Sequence, residues 1–336
     1  MSTQEVANFT GDTEYLTKEG WKRFDEFQDS DLVAQYNPEQ KEIEFVKPTS
    51  FSTRHVKVLE KLEARGLDFT FAPEQKIAFF NDLGDKDKIR DITFEEALRR
   101  HAKSKKKGWT GAIKTDFASS AFGIDLSDDE IRLMVAYQAD GTRLSSKKGQ
   151  VVVSKERKRF RLIDILERLG LEYTEKVKYE PKYTNSTGFH FRFPIPRDEK
   201  TFGGYWYSCS QHQLEVVMDE VGHWDGSFVE NQSYQTVRYF STIKENIDFI
   251  QYAAHACGFN TSIVKDIREH KYTKNDFWTL NCTPRGNGKR RFTNKDGKRP
   301  SEIVNNEGGL CYGFKVSSGY IPVRINEKLF ITGCAN

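Results

Sequence analysis

One pattern occurs twice in the middle of the chain and restricts the fold more than any other feature. An apolar helix ends in an Asp-Gly pair at residues 140–141, and a second helix ends in an Asp-Gly pair at residues 225–226. Each is followed by strand-like segments and by another helix that a glycine closes, Gly170 in the first half and Gly258 in the second. The interval from aspartate to glycine is 30 residues in one half and 33 in the other. The match indicates an internal duplication.

Both halves predict helices that alternate with strands. In the first half Ser127 and Glu130 form a capping-box signature that opens a helix through Ala139. Further elements are predicted as strands at residues 151–153, 173–177 and 190–193 and a helix at residues 161–169. The second half predicts helices at residues 213–224 and 243–257 and strands at residues 236–240, 261–264 and 277–281. Residues 1–90 and the last 30 residues are rich in short strands and turns, which predicts a β-rich module at each end.

Composition limits the class of protein. A chain of 336 residues exceeds one ordinary hydrophobic core and predicts two to three domains. Its 37% hydrophobic residues and 25 Phe exclude wholesale disorder. No apolar run of membrane-spanning length and no secretory signal are present, so we expect an intracellular protein without a membrane partner. The five cysteines lie far apart without CxxC pairs, so we expect reduced thiols rather than zinc ligands.

Charge distribution points to nucleic acid. The net charge is only +3, but basic residues gather in three blocks at residues 99–115, 143–161 and 285–299. These blocks contain seven, eight and seven Lys or Arg residues, with at most one acidic residue in each. Solvated loops are also rich in lysine, yet three such blocks in a nearly neutral chain favour one strongly positive face. Double-stranded DNA is the expected partner.

The duplication also predicts a site. If the two leading helices lie side by side at a pseudo-two-fold axis, Asp140 and Asp225 meet there and can bind a hard cation, Mg²⁺ or Mn²⁺, through oxygen. Cations beside two carboxylates suit in-line displacement at phosphorus. Phosphodiester hydrolysis is therefore the expected chemistry.

The two repeats resemble the LAGLIDADG homing endonucleases. The residues that carry the resemblance are LMVAYQADG at 133–141 and MDEVGHWDG at 218–226. The resemblance implies two αββαββ units at residues 121–208 and 209–285, with the motif helices at the seam and DNA on the sheets. In the second copy Asp219, Glu220 and Trp224 stand where the family has small residues. A single chain with two repeats implies a monomer with internal symmetry.

The two ends of the chain resemble inteins and the related Hint modules. NFTGDT at residues 8–13 with TKEG at 17–20 is similar to their opening, and YGFKV at 312–316 with FITG at 330–333 is similar to their close. The resemblance implies an all-β domain formed from residues 1–90 and 286–336, with the nuclease at residues 121–285 and a basic linker or DNA-binding arm at residues 91–120.

Splicing residues of that family are replaced. Asn8 stands where splicing needs a thiol or hydroxyl nucleophile. Ala72 and Gln75 stand in place of the activating Thr and His of a Thr-Pro-x-His motif. At the end of the chain Ala335 replaces an assisting His and Asn336 matches the terminal asparagine, unless Cys334 occupies that position and Asn336 lies beyond it. The resemblance thus implies a domain that does not splice.

Several groups of residues are candidates for DNA binding and catalysis. The block at residues 143–161 is predicted to lie on the first hairpin after Asp140, where its side chains reach base edges. Lys200 and Lys289 are candidates for an accessory basic residue near each metal. Trp206, Trp224 and Tyr205 are expected in the core. The predicted DNA contacts are Lys103, Lys105, Lys106, Lys107, Arg143, Lys147, Lys148, Lys155, Arg157, Lys158, Arg159, Arg161, Gln232, Gln235, Arg238, Arg285, Arg290 and Arg291.

The sequence therefore predicts an α+β protein that cleaves a long DNA site, in the cytoplasm or nucleoid of a microbial or phage-infected host. Two alternatives remain open. One is a non-cleaving nucleic-acid binder of the same fold, either a maturase or a repressor, and the other is a splicing-active intein. Retention of both Asp140 and Asp225 argues against the first, and Asn8, Ala72 and Gln75 argue against the second.

Overall fold

The chain folds into two compact units of mixed α and β structure. A computed structural model describes residues 7–64, 67–81, 89–103, 111–180, 186–231, 234–270, 273–284, 289–291, 301–306 and 309–334. Unit 1 comprises Met1–Ser120, Gly258–Ser262 and Arg285–Asn336, and unit 2 comprises Ala121–Cys257 and Ile263–Pro284. The strands outnumber the helices among the described residues.

Strands predominate at both ends of the chain, and helices alternate with pairs of strands in the middle. The first 120 residues contain β1 (Phe9–Thr10), β2 (Glu14–Thr17), β3 (Gly20–Arg23), the 3₁₀ helix η1 (Phe24–Glu26), β4 (Val33–Asn37), β5 (Glu42–Val46), β6 (Ser50–His55), β7 (Val58–Ala64), β8 (Leu67–Phe71), β9 (Lys76–Asn81), β10 (Arg90–Thr93), α1 (Phe94–Lys103), β11 (Gly111–Lys114) and β12 (Ala118–Ser119). The middle contains α2 (Asp128–Asp140), β13 (Gly141–Ser145), β14 (Lys148–Val153), α3 (Glu156–Arg168), β15 (Thr174–Glu180), β16 (Ser186–Pro194), the 3₁₀ helix η2 (Gly204–Ser208), α4 (Gln211–Val221), β17 (Gly226–Asn231), β18 (Tyr234–Ser241), α5 (Lys244–Ala256), β19 (Phe259–His270) and β20 (Thr273–Pro284). The last segment contains β21 (Lys289–Arg291), β22 (Ser301–Asn305), β23 (Leu310–Lys315), β24 (Tyr320–Ile325) and β25 (Lys328–Gly333).

Unit 1 is built from both ends of the chain. Its six-stranded sheet has the order β22-β7-β8-β1-β23-β6. Its larger sheet follows the path β12-β5-β4-β2-β24-β25-β9-β11-β21, with β10 paired to β9 and β3 paired to β2. Strands from the first 120 residues thus alternate with strands from the last 50, so neither end completes a sheet without the other.

Aromatic side chains form the core of unit 1. The ring of Phe24 stacks on that of Phe9 at 4.8 Å and on that of Phe314 at 5.1 Å. Phe69 lies 4.9 Å from Phe330. Rings from the two chain ends therefore share one core, and each pair contributes about 0.5–1.5 kcal/mol beyond its buried area.

Unit 2 contains the order αββαββ twice. The first repeat forms a sheet of order β13-β14-β16-β15 and the second a sheet of order β17-β18-β20-β19. Both leading helices begin with a capping box, from Ser127 and Glu130 at α2 and from Ser210 and Gln213 at α4. Such a box satisfies helix-terminal N–H groups from both sides. The repeats therefore share their topology and their helix-start chemistry.

Two expectations from the sequence are wrong in their details. Helix α3 begins at Glu156 rather than at residue 161, so the block at residues 143–161 covers a hairpin and the first turns of a helix. Residues 91–120 were expected as a basic linker or DNA-binding arm, but β10, α1, β11 and β12 belong to unit 1, where Phe94 and Ile113 are fully buried, so the described part of this stretch is not a linker. Its DNA-binding role stays a prediction. None of the described helices has the length and apolar character needed to span a bilayer.

Candidate functional site

The leading helices of the two repeats bring an aspartate each to the same region of unit 2. Helices α2 and α4 contact each other, Asp140 is the last residue of α2, and Asp225 follows α4 after a short turn. The glycine after each aspartate is required by close packing. A Cβ at Gly141 would lie 2.2 Å from the backbone oxygen of Tyr137, and one at Gly226 would lie 2.6 Å from that of Val221. Asp-Gly is therefore the pair that lets the chain turn directly from helix to strand.

The charges of the two aspartates interact. Burial raises the pKa of Asp225 above its ordinary value, and the negative charge of Asp140 raises it further, while Lys158 and Lys200 oppose this effect. Asp140 itself is paired, because Lys158 Nζ lies 2.5 Å from its Oδ2. Asp225 experiences both lysines only through longer-range attraction. Burial and the charge of Asp140 thus outweigh the attraction of the two lysines at Asp225.

Lys200 lies beside the two aspartates. Its Nζ donates to the backbone oxygen of Gly141 at 2.5 Å and to that of Tyr137 at 3.2 Å, which caps the C-terminal end of α2. Burial lowers the pKa of Lys200, whereas the charges of Asp225 and Asp140 raise it. The structure therefore brings Lys200 together with both aspartates, in the position where the sequence predicts an accessory basic residue.

Lys158 is part of this cluster in a way that the sequence does not predict. It was expected as a DNA contact on a hairpin, but it lies in the first turn of α3 and its ammonium group pairs with Asp140. It also lies 5.6 Å from the ring of Trp224 in the second repeat. In the second repeat Lys244 stands 19 residues after Asp225, at the first position of α5, and pairs with Asp248. The spacing of these lysines was the available signal.

The contact of the two repeats contains a buried acidic residue. Glu220, which stands where a small residue was expected, is fully buried in α4. Arg161 donates to it from α3 at 2.5 and 2.8 Å, and Trp224 Nε1 donates to it at 2.5 Å. A buried charge is tolerated when it is paired and hydrogen-bonded. Glu220 therefore does not keep the helices apart, and it connects α4 to the first repeat.

The block at residues 143–161 is divided between two elements, so the prediction that it lies on one hairpin is wrong. Arg143, Lys147 and Lys148 are exposed on the β13–β14 hairpin, and Arg143 pairs with Asp198 at 2.7 Å. The remaining members lie at the start of α3 because that helix begins five residues early. Lys155 is the exposed N-cap residue, Arg157 donates to the backbone oxygen of His223, Arg159 pairs with Glu175, and Arg161 pairs with Glu220.

The other predicted DNA contacts fall into three groups. Gln235 and Arg238 are exposed on β18 of unit 2. Lys103 lies in α1, and Lys289, Arg290 and Arg291 form β21 in unit 1, where only their backbone is described. Lys105, Lys106, Lys107, Gln232 and Arg285 lie outside the described residues, as do Ala335 and Asn336. The roles of all these residues stay predictions.

The replaced splicing residues lie in unit 1 and are buried. Asn8 Oδ1 accepts a hydrogen bond from Arg54 Nη2 at 2.6 Å, and the backbone oxygen of Ala7 accepts one from Arg54 Nε at 2.7 Å. The amide of Ala72 donates to the backbone oxygen of Asn8 at 3.2 Å. Ala72 is therefore adjacent to Asn8, as the motif alignment predicts, while Arg54 is a partner that the alignment does not identify.

Gln75 reaches the other end of the chain. Its Nε2 lies 2.6 Å from the backbone oxygen of Gly333 and 3.1 Å from Thr332 Oγ1. Gln75 is almost fully buried, as is Cys334. The amide thus stabilises the packing of β25 against β9. A carboxamide has no titratable proton, so this contact offers no acid or base.

The expected core aromatics are buried in two cases of three. Trp206 and Trp224 are almost fully buried, whereas Tyr205 is half-buried with the guanidinium of Arg197 3.6 Å from its ring centre. All five cysteines are free thiols, as the sequence predicts.

Comparisons with known proteins give limited support. No family model matches the sequence. The ribonucleoside-diphosphate reductase subunit beta of Aquifex aeolicus (strain VF5) is 25% identical over 356 residues, covering 97% of this chain and 49% of that protein. The chain thus spans about half the length of this curated relative.

Solved structures with partial similarity include an intein and two LAGLIDADG proteins. A splice-inactive variant of the AceL NrdHF class 3 split intein is 7% identical, covers 98% of this chain and 99% of its own, and has a TM-score of 0.35. The N-terminal LAGLIDADG domain of DUF199/WhiA is 14% identical, covers 45% and 75%, and has a TM-score of 0.31. I-DmoI in complex with DNA and Ca is 10% identical, covers 46% and 83%, and has a TM-score of 0.31. At these scores the similarities assign no activity to this chain.

Proposed function

We propose that the protein is a site-specific DNA endonuclease of the LAGLIDADG type and that Asp140 and Asp225 form the site at which it hydrolyses phosphodiester bonds. The observation that carries this proposal is the equivalent position of the two aspartates at the ends of contacting helices, with their charges interacting. Burial and mutual repulsion make this pair of carboxylates unfavourable for the fold even beside Lys158 and Lys200, as the raised pKa of Asp225 indicates. Their retention in both repeats is therefore better explained by chemistry than by stability.

The two aspartates suit a divalent cation. Carboxylate oxygens are the ligands that Mg²⁺ and Mn²⁺ prefer, and Mg²⁺ commonly takes only one or two carboxylates from a protein. Among the described residues, no group of three or more His, Cys, Asp or Glu side chains is arranged to hold a metal ion. A cation held by Asp140 and Asp225 would lower the pKa of bound water and neutralise charge that develops on the phosphate.

The lysines of the site have distinct roles in this proposal. Lys200 is fixed by two backbone oxygens beside both aspartates, where its ammonium form would stabilise a developing negative charge on a phosphate. Lys158 neutralises Asp140 and would exchange that contact for a phosphate oxygen when DNA is bound. Tyr239 donates to Gln138 at 3.2 Å, and both are buried, which fixes the sheet of the second repeat against α2.

Cleavage assays on single variants test the proposal. Asp140→Asn and Asp225→Asn keep the size of the side chain but are poor ligands for a hard cation. Each should abolish Mg²⁺-dependent cleavage of a cognate duplex and leave duplex binding in EDTA within a few-fold. A variant that cleaves at the wild-type rate would exclude its aspartate from the site. Binding without cleavage by the wild-type protein, in both Mg²⁺ and Mn²⁺, would favour the non-cleaving binder.

For unit 1 we propose an intein-like domain that no longer splices. Asn8 offers no nucleophile, and Ala72 offers no group to activate the preceding peptide bond. The similarity to the reductase subunit covers nearly all of this chain but half of that protein, which fits a segment that is also found within a longer host. The reductase activity itself is not assigned to this chain.

A further inference from the structure

The two four-stranded sheets of unit 2 can be compared position by position. The second helix of each repeat is followed two residues later by a glycine with positive φ, Gly170 at 61° and Gly258 at 78°, which gives the two repeats a common reference position. Six residues after the glycine stand Lys176 in the first repeat and Val264 in the second. Eight residues after it stand Lys178 and Asp266. The equivalent edge strands β15 and β19 therefore differ in charge at both positions.

Strand pairing places the lysines of β15 on the open face of the first sheet. Phe191 and Phe193 of β16 are fully buried on the other face. Lys176 pairs with His190, the neighbour of Phe191, so Lys176 and Lys178 lie on the face opposite the buried rings. We call this face the first open face, and its exposed or half-exposed polar members include Lys148, Gln150, Thr174, Lys176, Lys178, His190 and Arg192.

The first open face is basic. Arg192 is exposed and its Nε donates to Gln150 across the strand pair at 3.0 Å. Its Cα partner on the other side is Thr174, which leaves the guanidinium without an acidic neighbour on these strands. Among the β15 residues whose side chains are described, Glu175 is the one acidic residue. It lies on the other face of the sheet and pairs with Arg159. The described charged side chains of this face are therefore all positive.

The matching face of the second sheet is nearly neutral. Val237, Tyr239, Leu280 and Cys282 are buried on its inner face. The opposite face of this sheet, which we call the second open face, is formed by the alternate residues of β17, β18 and β20. It includes Ser227, Arg238, Phe240, Thr279 and Asn281. Arg238 is the one charged residue on this face of the three strands among those whose side chains the structure describes.

The edge strand β19 adds an acidic residue to this second face. Lys265 pairs with Asp276 and lies 5.0 Å from the Trp278 ring. Asp276 and Trp278 lie on the same inner side of β20 as Leu280, because the three are every second residue of the strand. Val264 and Asp266, which flank Lys265, therefore lie on the second open face and are exposed. At the two equivalent positions the first repeat thus carries Lys176 and Lys178, whereas the second carries the neutral Val264 and the acidic Asp266.

We infer that the first repeat supplies most of the ionic attraction to duplex DNA, through Lys176, Lys178 and Arg192, whereas the second repeat contacts its half of the duplex mainly through neutral side chains. This inference rests on the proposed function for the identity of the ligand. It adds that the two half-sites are bound by different chemistry. Phosphate contacts from Lys and Arg release counterions and depend steeply on salt, whereas amide, hydroxyl and aromatic contacts do not.

Salt-dependent binding tests the inference without any cleavage. The probe is a fluorescent duplex of random sequence in EDTA, and the affinity is measured by anisotropy over a range of KCl concentrations. Lys176→Gln/Lys178→Gln should flatten the slope of log affinity against log salt by about 2, since each phosphate contact contributes about 0.9. The equivalent substitution in the second repeat, Val264→Gln/Asp266→Gln, should leave the slope within about 0.5 of the wild-type value on the same basis.

A gain of charge provides a second test that does not depend on losing a contact. Val264→Lys/Asp266→Lys, which gives β19 the residues of β15, should steepen the slope by about 2. Thermal melting of each variant confirms that it is folded, and all four positions are exposed. Equal flattening by Lys176→Gln/Lys178→Gln and by Arg238→Gln, or an absence of duplex binding by the wild-type protein, would overturn the inference. Normal slopes without cleavage in Mg²⁺ would instead support the inference and remove the proposed nuclease function.

Discussion

Asp140→Asn and Asp225→Asn should have opposite effects on the stability of the metal-free protein at pH 7, although both should abolish cleavage. Asp225 is buried, and its pKa is raised by burial and then by the charge of Asp140. Replacing it by a neutral amide of the same shape removes a charge that the fold disfavours. The gain is of the usual size for relieving one such charge, about 1 kcal/mol.

For Asp140→Asn two effects compete. The substitution also relieves repulsion of about 1 kcal/mol, but it removes the bond to Lys158, whose side chain is 12% exposed. Pairs of intermediate burial lie between the exposed range of about 0–1 kcal/mol and the buried range of about 3–5 kcal/mol, so a loss of about 2 kcal/mol is reasonable. The free energy of unfolding of the Asp225→Asn protein should then exceed that of the Asp140→Asn protein by about 2 kcal/mol, which corresponds to a melting temperature higher by about 4–8 °C.

The dependence of stability on pH gives the sign of the effect of Asp225→Asn. A raised pKa means that the folded state holds the proton of Asp225 more tightly than the unfolded state does, so the contribution of Asp225 to wild-type stability falls as pH rises from the ordinary value of 3.8 through the raised pKa. The advantage of Asp225→Asn should therefore be complete above the raised pKa and vanish below pH 3.8. Calorimetry in EDTA at several pH values measures it. An Asp225→Asn protein that is less stable than Asp140→Asn at pH 7, or a difference that does not shrink in acid, would refute this reasoning.

Three further outcomes are expected. Lys200→Met should lower the single-turnover cleavage rate by at least about tenfold with little change in duplex affinity, because it removes a fixed positive charge at the reaction centre; a loss of affinity equal to the loss of rate would assign Lys200 to binding instead. Glu220→Ala should lower the free energy of unfolding in urea by about 2–4 kcal/mol, because it leaves Arg161 and the Trp224 N–H without their acceptor. The control is Glu215→Ala, at an exposed residue of the same helix, which should lower it by less than about 0.5 kcal/mol. Placed inside a reporter protein, the chain should give no ligated product, and ligation with Asn8, Ala72 and Gln75 unchanged would show that unit 1 still splices.

Some features of the site are predictable because they repeat at short range. The capping box of Ser127 and the Asp-Gly turns are local signals, and the duplication predicts that Asp140 and Asp225 approach each other. The interacting charges of the two residues agree with that prediction. Lys200 was likewise placed by its spacing from an aspartate, and it lies beside both of them.

Other features depend on pairings that no local pattern contains. The start of α3 was placed five residues too late, because residues 156–160 are charged and lack an apolar period apart from Phe160. That error put Lys158 on a hairpin instead of at Asp140. Glu220 stands where the family has a small residue, and no local pattern indicates that it is buried against Arg161, which lies 59 residues away in sequence. Gln75 was aligned with a residue that acts near Asn8, yet its side chain amide contacts Gly333, 258 residues further on.

The central claim is that Asp140 and Asp225 together form a metal-dependent site that cuts DNA at a defined sequence. The most direct test is a cleavage-site selection on a library of randomised duplexes in Mg²⁺, run with the wild-type protein and with the Asp140→Asn/Asp225→Asn variant. The account predicts that wild-type ends converge on one long, nearly asymmetric site, with double-strand breaks that leave short 3′ overhangs, and that the double variant binds the selected site in EDTA but does not cut it. Full cleavage by the double variant would contradict the account, and so would a failure of the wild-type protein to enrich any site.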